Sequence, residues 1–147
     1  MHVVTATLDH LDQLAGLFDA YRVFYAQPSD LESARWFLRE RFLLRESVIY
    51  LALEGDVALG FTQLYPSFSS VRLRRLWILN DLYVIPEARG QRVGEALIHR
   101  ALELARQTNA VGVQLETAHT NTSALRLYER MGFTREDLEY RTYFLGV

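Results

Sequence analysis

The chain has 147 residues, half of them apolar and 23% charged, which fits one soluble domain with a buried core. Its formal net charge of −2 excludes bulk attraction to nucleic acid or to an anionic membrane, so any anion site has to be local. Cysteine is absent, which excludes disulfides, thiolate metal sites and a cysteine nucleophile. No basic-then-apolar leader and no run of membrane-spanning length is visible, so a cytoplasmic location is the expectation. No repeat, low-complexity tract or linker divides the sequence, and residues 1–147 are expected to form a single domain.

In chain order, residues 3–6 read as a short edge strand. Thr7 can cap a helix whose apolar positions Leu8, Leu11, Leu14, Leu17, Phe18, Tyr21 and Tyr25 recur every three or four residues, the mark of one buried face. Gln27-Pro28-Ser29-Asp30 breaks it, and Ser29 or Asp30 can cap a second helix over 31–44 with Trp36, Phe37, Phe42 and Leu43 inward. Residues 48–53 and 57–65 read as two strands joined at Glu54-Gly55-Asp56. A loop is expected over 66–70. A long strand over 71–84 follows, with a bulge or exposed edge where Arg72, Arg74 and Arg75 interrupt the apolar pattern.

Pro86, with no amide proton, ends that strand. A helix over 90–108 presents Val93, Ala96, Leu97, Ala101, Leu104 and Ala105 on one face. A strand over 111–117, a helix over 121–131 stopped by Gly132, and a last strand over 140–145 complete the chain. This order predicts an α/β fold, its sheet antiparallel at first and parallel near residue 90.

The stretch 80–97 organises the rest. A strand runs into Pro86 and then into a glycine-containing helix start flanked by Arg89 and Arg92. The first amides of a helix have no internal acceptor and carry partial positive charge, so they suit an anion such as phosphate. The competing possibility is close packing of Gly90 and Gly94 beside a solvated basic face. No Gly-Lys-Ser/Thr follows, which separates the stretch from nucleoside-triphosphate loops, and the three-glycine dinucleotide spacing is missing.

With these elements in order, the chain resembles the GNAT superfamily of acyl-CoA-dependent N-acyltransferases over nearly its whole length. The family's loop pattern, Arg/Gln-x-x-Gly-x-Gly/Ala, falls on Arg89-Gly90-Gln91-Arg92-Val93-Gly94, with Arg92 where the family usually has its middle glycine. A second match runs from Asn121 through Ala124 and Tyr128 to Gly132-Phe133. Trp77-Ile78-Leu79-Asn80-Asp81-Leu82-Tyr83-Val84 is most similar to the spermidine/spermine acetyltransferase branch. The resemblance implies a GNAT-like mixed, partly splayed sheet with helices on both faces, and acetyl-CoA as co-substrate. It also implies that Leu82, Tyr83, Val84, loop 89–94 and Asn121 bind that co-substrate. Tyr128 then stands at the position of the family's general acid. From spacing alone Tyr128 reads as a core aromatic, in line with Ala124, Leu127 and Met131, and the resemblance reverses that.

Acetylating an amine requires removing a proton from a group of pKa near 10. Some relatives place a glutamate where this chain has Asn80, an amide that cannot take a proton. Asp81 and Glu116 are the remaining carboxylate candidates. Strand alternation sends Asp81 away from Asn80 unless a bulge rotates it, and a water path to solvent needs no carboxylate. Tyr21, Tyr25 and Asn80 are expected to line the acceptor slot, together with Arg22, Phe24 and loop 66–70, with core packing the equal alternative for Tyr21 and Tyr25. His10, His99 and His119 are too scattered for a metal site, so no metal is expected.

The expected reaction is direct attack by a primary amine on acetyl-CoA, since no cysteine can carry the acetyl group. The acceptor is a small-molecule amine or a protein amine; nucleic acid and membrane are not expected partners. A homodimer using 140–145 as an edge fits family habit. The competing reading is a non-catalytic acyl-CoA-binding or sensing module.

Overall fold

The structure, a computed structural model, describes residues 1–136 and 138–147. They fall into two compact units, Met1–Glu116 and Thr117–Val147. In the first, β1 (His2–Thr5) leads through a 3-10 turn (Leu8–His10) into α1 (Leu11–Phe24) and α2 (Leu31–Leu43). Then come β2 (Val48–Glu54), β3 (Val57–Ser69), β4 (Arg74–Val84), a second 3-10 turn (Pro86–Ala88), α3 (Val93–Gln107) and β5 (Val113–Gln114). The sheet order is β1-β2-β3-β4-β5, antiparallel throughout except that β5 joins β4 in parallel. That exception follows from α3, which carries the chain back across the sheet between the two strands.

Local chemistry explains the helix boundaries. Thr7 Oγ1 accepts from the Asp9 amide at 3.3 Å, and His10 Nδ1 accepts from the Thr7 amide at 3.0 Å. This is a capping box in which a histidine replaces the usual glutamate. Asp30 caps α2 by accepting from the Ser33 amide at 3.1 Å. Ser29 instead donates to Asp19 at 2.6 Å, and the Asp30 amide donates to the same carboxylate at 2.7 Å. These bonds hold Asp19 below the ordinary carboxylate range.

Helix α2 buries Ala34 and Leu38, while Phe37 and Phe42 are half-buried and Trp36 and Leu43 are 60% and 57% exposed. The expectation that Trp36 and Leu43 point inward is therefore corrected. The four-residue step from Ala34 to Leu38 defines the inner face, and Trp36 sits midway between them, roughly opposite it.

Helices cover both faces of the sheet. Ile49, Leu51, Leu53 and Phe61 form one core with Leu14, Phe18 and Leu38 of α1 and α2. Tyr50 points the other way, under Arg100 of α3, whose guanidinium lies 5.0 Å from the ring centroid. Leu97, Ile98 and Ala101 of α3 are fully buried.

Three further boundaries differ from expectation. Residues 66–69 continue β3 rather than forming a loop, and Pro66 stands opposite Trp77. β2 ends opposite Leu64, so a residue without an amide proton is tolerated on the free edge beyond. The chain reverses at 70–73 instead. The bulge is not among the arginines: Arg74 and Arg75 pair regularly with Ser69 and Phe68. Arg74 is held by the Asn109 and Ala110 carbonyls, and Arg75 lies over the rings of Phe68 and Trp77.

The bulge falls at Asn80, because Gln63 pairs with Asp81 while Leu64 pairs with Leu79. The extra residue reverses the alternation of β4. Before it, Trp77 faces α3 and donates its indole N–H to Thr108 Oγ1 at 2.8 Å. After it, Asp81 and Tyr83 face α1, in contact with Gln63 and Tyr21.

In the second unit, α4 (Thr122–Arg130) starts at Asn121, whose side chain accepts from the Ala124 amide at 3.4 Å. It stops where Gly132 takes φ of +95°, as its sequence predicts. Residues 140–145 form no strand among the described residues, and Tyr143 and Phe144 are 87% and 93% exposed. A β-rich composition does not make a strand without a neighbour for its N–H and C=O groups, and none is present among the described residues of this unit.

Candidate active site

β5 pairs with β4 only at Trp77–Val113 and Ile78–Gln114. Beyond Ile78 the two strands part at the Asn80 bulge. A cleft of about 90 Å³ opens there, lined by Ile78, Leu79, Asn80, Gln114, Leu115 and Glu116. The predicted residues Asn80 and Glu116 thus share one opening. Ile85 donates its amide to Leu59 at 2.9 Å, so alternation turns the N–H and C=O groups of Leu82 and Val84 to the edge away from β3. The Val84 carbonyl confirms this orientation, since it accepts from Arg89 Nε at 3.1 Å.

The loop after β4 is shaped by backbone conformation. The helix begins at Val93 rather than at Gly90. Gly90 has φ of +80° and Arg92 has φ of +63°, both left-handed. Arg92 therefore adopts the conformation that a glycine takes freely, at a cost of about 1–2 kcal/mol for a residue with a Cβ. No side chain caps the start of α3, so its first amides stay available to an anion. Arg89 joins this loop to α1, with its guanidinium 5.7 Å from the Phe24 ring centroid and 5.9 Å from that of Tyr83.

On the α1 side of β4 lies a polar cluster inside an aromatic one. Tyr21 packs edge-on against Tyr25, Phe61 and Tyr83, with centroids 5.0, 6.0 and 6.4 Å away. Its hydroxyl donates weakly to the Asn80 carbonyl at 3.5 Å and hydrogen-bonds to the Asp81 carboxylate. Asp81, 4% exposed, accepts from Gln63 Nε2 at 2.7 Å and from Asn80 Nδ2 at 3.1 Å. Burial pushes its carboxyl above the ordinary value, and the bonds from Gln63, Tyr21 and Asn80 oppose that rise. Tyr65 beside it is pushed up to about 12, mainly by burial and then by the charge of Asp81.

The bulge thus brings Asp81, Asn80 and Tyr21 together, and the four-residue spacing along α1 puts Tyr25 against Tyr21. Tyr128 and Asn121 belong to the second unit. There Tyr128 is half-buried and meets Phe133 edge-on with centroids 5.8 Å apart, while the Asn121 side chain caps α4. Gln63, which sequence reasoning passed over, is fully buried at the heart of the cluster. Its signal was an amide in the middle of an otherwise apolar central strand.

These features fit the comparison with known proteins. The profile of the acetyltransferase (GNAT) family matches residues 12–133. An uncharacterized N-acetyltransferase of Bacillus subtilis, YhfO, is 44% identical over 100% of this chain and 98% of its own length. A probable acetyltransferase of Haemophilus influenzae is 33% identical, the match covering 79% of this chain and 80% of that protein. The crystal structure of a probable acetyltransferase superposes with a TM-score of 0.92 at 51% identity, covering 100% of this chain and 98% of that one. The chain belongs to the acetyltransferase (GNAT) family, and its activity is N-acetyl transfer. No helix among the described residues is long and apolar enough to cross a membrane, and no cluster of His, Asp or Glu among them could hold a metal.

Proposed function

We propose that this enzyme acetylates a primary amine by direct attack within a ternary complex, with acetyl-CoA as the donor. The observation that carries the reading is the parting of β4 and β5 at the Asn80 bulge, between an uncapped helix start and a buried carboxylate. The donor's chemistry fits the residues present: the amides of loop 89–94, with Arg89 and Arg92, suit its pyrophosphate, and the outward groups of Leu82 and Val84, on either side of Tyr83, suit its amide-bearing arm. Asn121 contributes to the same binding. Bound acetyl-CoA supplies the acetyl group as a thioester. An amide at Val84 donates toward negative charge developing on an acyl oxygen.

Tyr21 and Tyr25 hold the acceptor, and the Asn80 carbonyl orients Tyr21. As the amine attacks, its proton passes to the Tyr21 oxygen while the Tyr21 hydroxyl proton passes to Asp81. Glu116, exposed at the cleft, attracts the incoming ammonium and is the alternative proton acceptor. Tyr128 gives its proton to the leaving sulfur. A homodimer and a cytoplasmic location are part of this proposal. The sensing-module alternative has no observation in its favour.

The test is thiol release from acetyl-CoA with spermidine, L-lysine, an aminoglycoside and an N-terminal peptide, each product checked by mass for one added acetyl group. Turnover with one of these sets the acceptor class. Tight acetyl-CoA binding without turnover on any amine overturns the proposed acceptor chemistry.

A further inference from the structure

Gln63 reaches no substrate, yet its surroundings go beyond those of a core amide. It is fully buried, so each polar atom it carries needs a partner. Both of its side-chain bonds go to other side chains. Ser47 Oγ donates to Gln63 Oε1 at 2.8 Å, and Gln63 Nε2 donates to Asp81 Oδ2 at 2.7 Å. The carboxylate, which only accepts, fixes which way the amide points, and Ser47 braces the amide from its other end. Reversed, the amide would present its oxygen to a carboxylate and lose the bond to Asp81.

The short N–H to carboxylate bond is of the stronger, charge-assisted kind. Asn80 Nδ2 holds the other oxygen, Oδ1, at 3.1 Å. The charged and titratable groups around Asp81 are the Tyr21 hydroxyl from α1, Tyr65 from β3, and, beyond Tyr65, Arg41 of α2 and Glu46. Arg41 is paired with Glu46 and Glu40, at 3.2 Å each. The amide of Gln63 is thus a neutral donor that is itself braced from outside the cluster, by Ser47.

We infer that Gln63 is a positioning residue whose amide, braced by Ser47, fixes the Asp81 carboxylate as the proton acceptor on the α1 side of β4. The inference rests on the reading of Asp81 as proton acceptor. Replacing Gln63 by Met keeps length and removes the donor. Replacing Ser47 by Ala removes only the bracing bond and is the milder probe of the same chain. The test follows the Asp81 carboxyl carbon by NMR through a pH titration of each folded protein.

Gln63→Met is expected to raise the Asp81 midpoint by about 1 unit and Ser47→Ala by less, since a donor to the charged form is lost or loosened. The acidic limb of turnover with spermidine or L-lysine then moves to higher pH by the same amounts. An unmoved titration in both variants, with only a lower melting temperature, makes Gln63 merely structural and overturns the inference. Native turnover in Asp81→Asn with the same amine overturns the underlying reading of Asp81 instead, whatever the titration shows.

Discussion

The two flanks of β4 prepare for charge in opposite ways. On the α1 side, Asp81 is buried and held by side chains from β3 and from its own strand, at 2.7 and 3.1 Å. In the loop after β4, the groups suited to an anion are backbone amides, and left-handed residues at Gly90 and Arg92 shape them in the open. The first flank needs particular side chains inside a packed core. The second needs a particular backbone shape and tolerates an unusual side chain, which is why Arg92 can stand where the family usually has glycine. A proton-transfer group benefits from burial, which tunes its proton affinity, whereas a site for a large anion benefits from access.

The sharpest way to break this contrast is at Asp81. Asp81→Asn keeps the shape and removes the proton acceptor, so turnover should fall by about 10²–10⁴-fold in the thiol-release assay. The same variant has a signature in stability. Burial raises the folded carboxyl above its ordinary value of 3.8, so this group's contribution to stability is fully present below that value and is lost as pH rises through the folded pKa. Denaturant titrations between pH 4 and 8 should therefore show Asp81→Asn gaining on the native protein as pH rises.

Gly60 tests the strand that both flanks share. A Cβ there would lie 2.5 Å from the Tyr83 carbonyl oxygen and 3.2 Å from Val84 Cα. Gly60→Ala should cost about 3 kcal/mol by overpacking a place where only backbone could yield, and chemical denaturation reads it directly. Arg92 probes the backbone-built flank. Arg92→Val should cost a further ~1–2 kcal/mol, because a β-branched residue tolerates the left-handed region poorly, whereas Arg92→Gly should leave the melting temperature equal or slightly higher. The smallest effect belongs to the second unit: Asn121→Ala removes the α4 cap, worth about 1 kcal/mol, and should speed amide exchange in the first turn of that helix.

Much of this was legible in the sequence. The stripe of α1 from Leu11 to Tyr21, the Thr7 cap on the turn before it, the glycine at the end of α4 and the strand-loop-helix around Arg89 follow from local spacing. Leu8 and Tyr25, at the ends of the stripe, are instead each 45% exposed because they lie outside the helix. What escaped depends on pairing. Pro66 looked like a loop residue because its strand continues only where the neighbouring strand has ended. Trp36 looked buried because size was given more weight than angle around the helix. The C-terminal aromatics read as a strand with no partner in their unit. Asp81 was assigned a face by simple alternation, and the bulge that changes that face is set by register with β3, which no local signal carries. Gln63 belonged to the site only through that same register.

The Asn80 bulge gives β4 two phases, with odd-numbered residues toward α3 before it and toward α1 after it. The content of the site is therefore written partly in strand length. Deleting Asn80 would restore a single phase and a regular ladder, with Leu79 and Asp81 consecutive as their partners Leu64 and Gln63 are. Asp81 and Tyr83 would still face α1, but the break that parts β4 from β5 would close. An enzyme could lose its chemistry this way with every other residue of its site intact, and a lineage comparing only side-chain identities would miss the event.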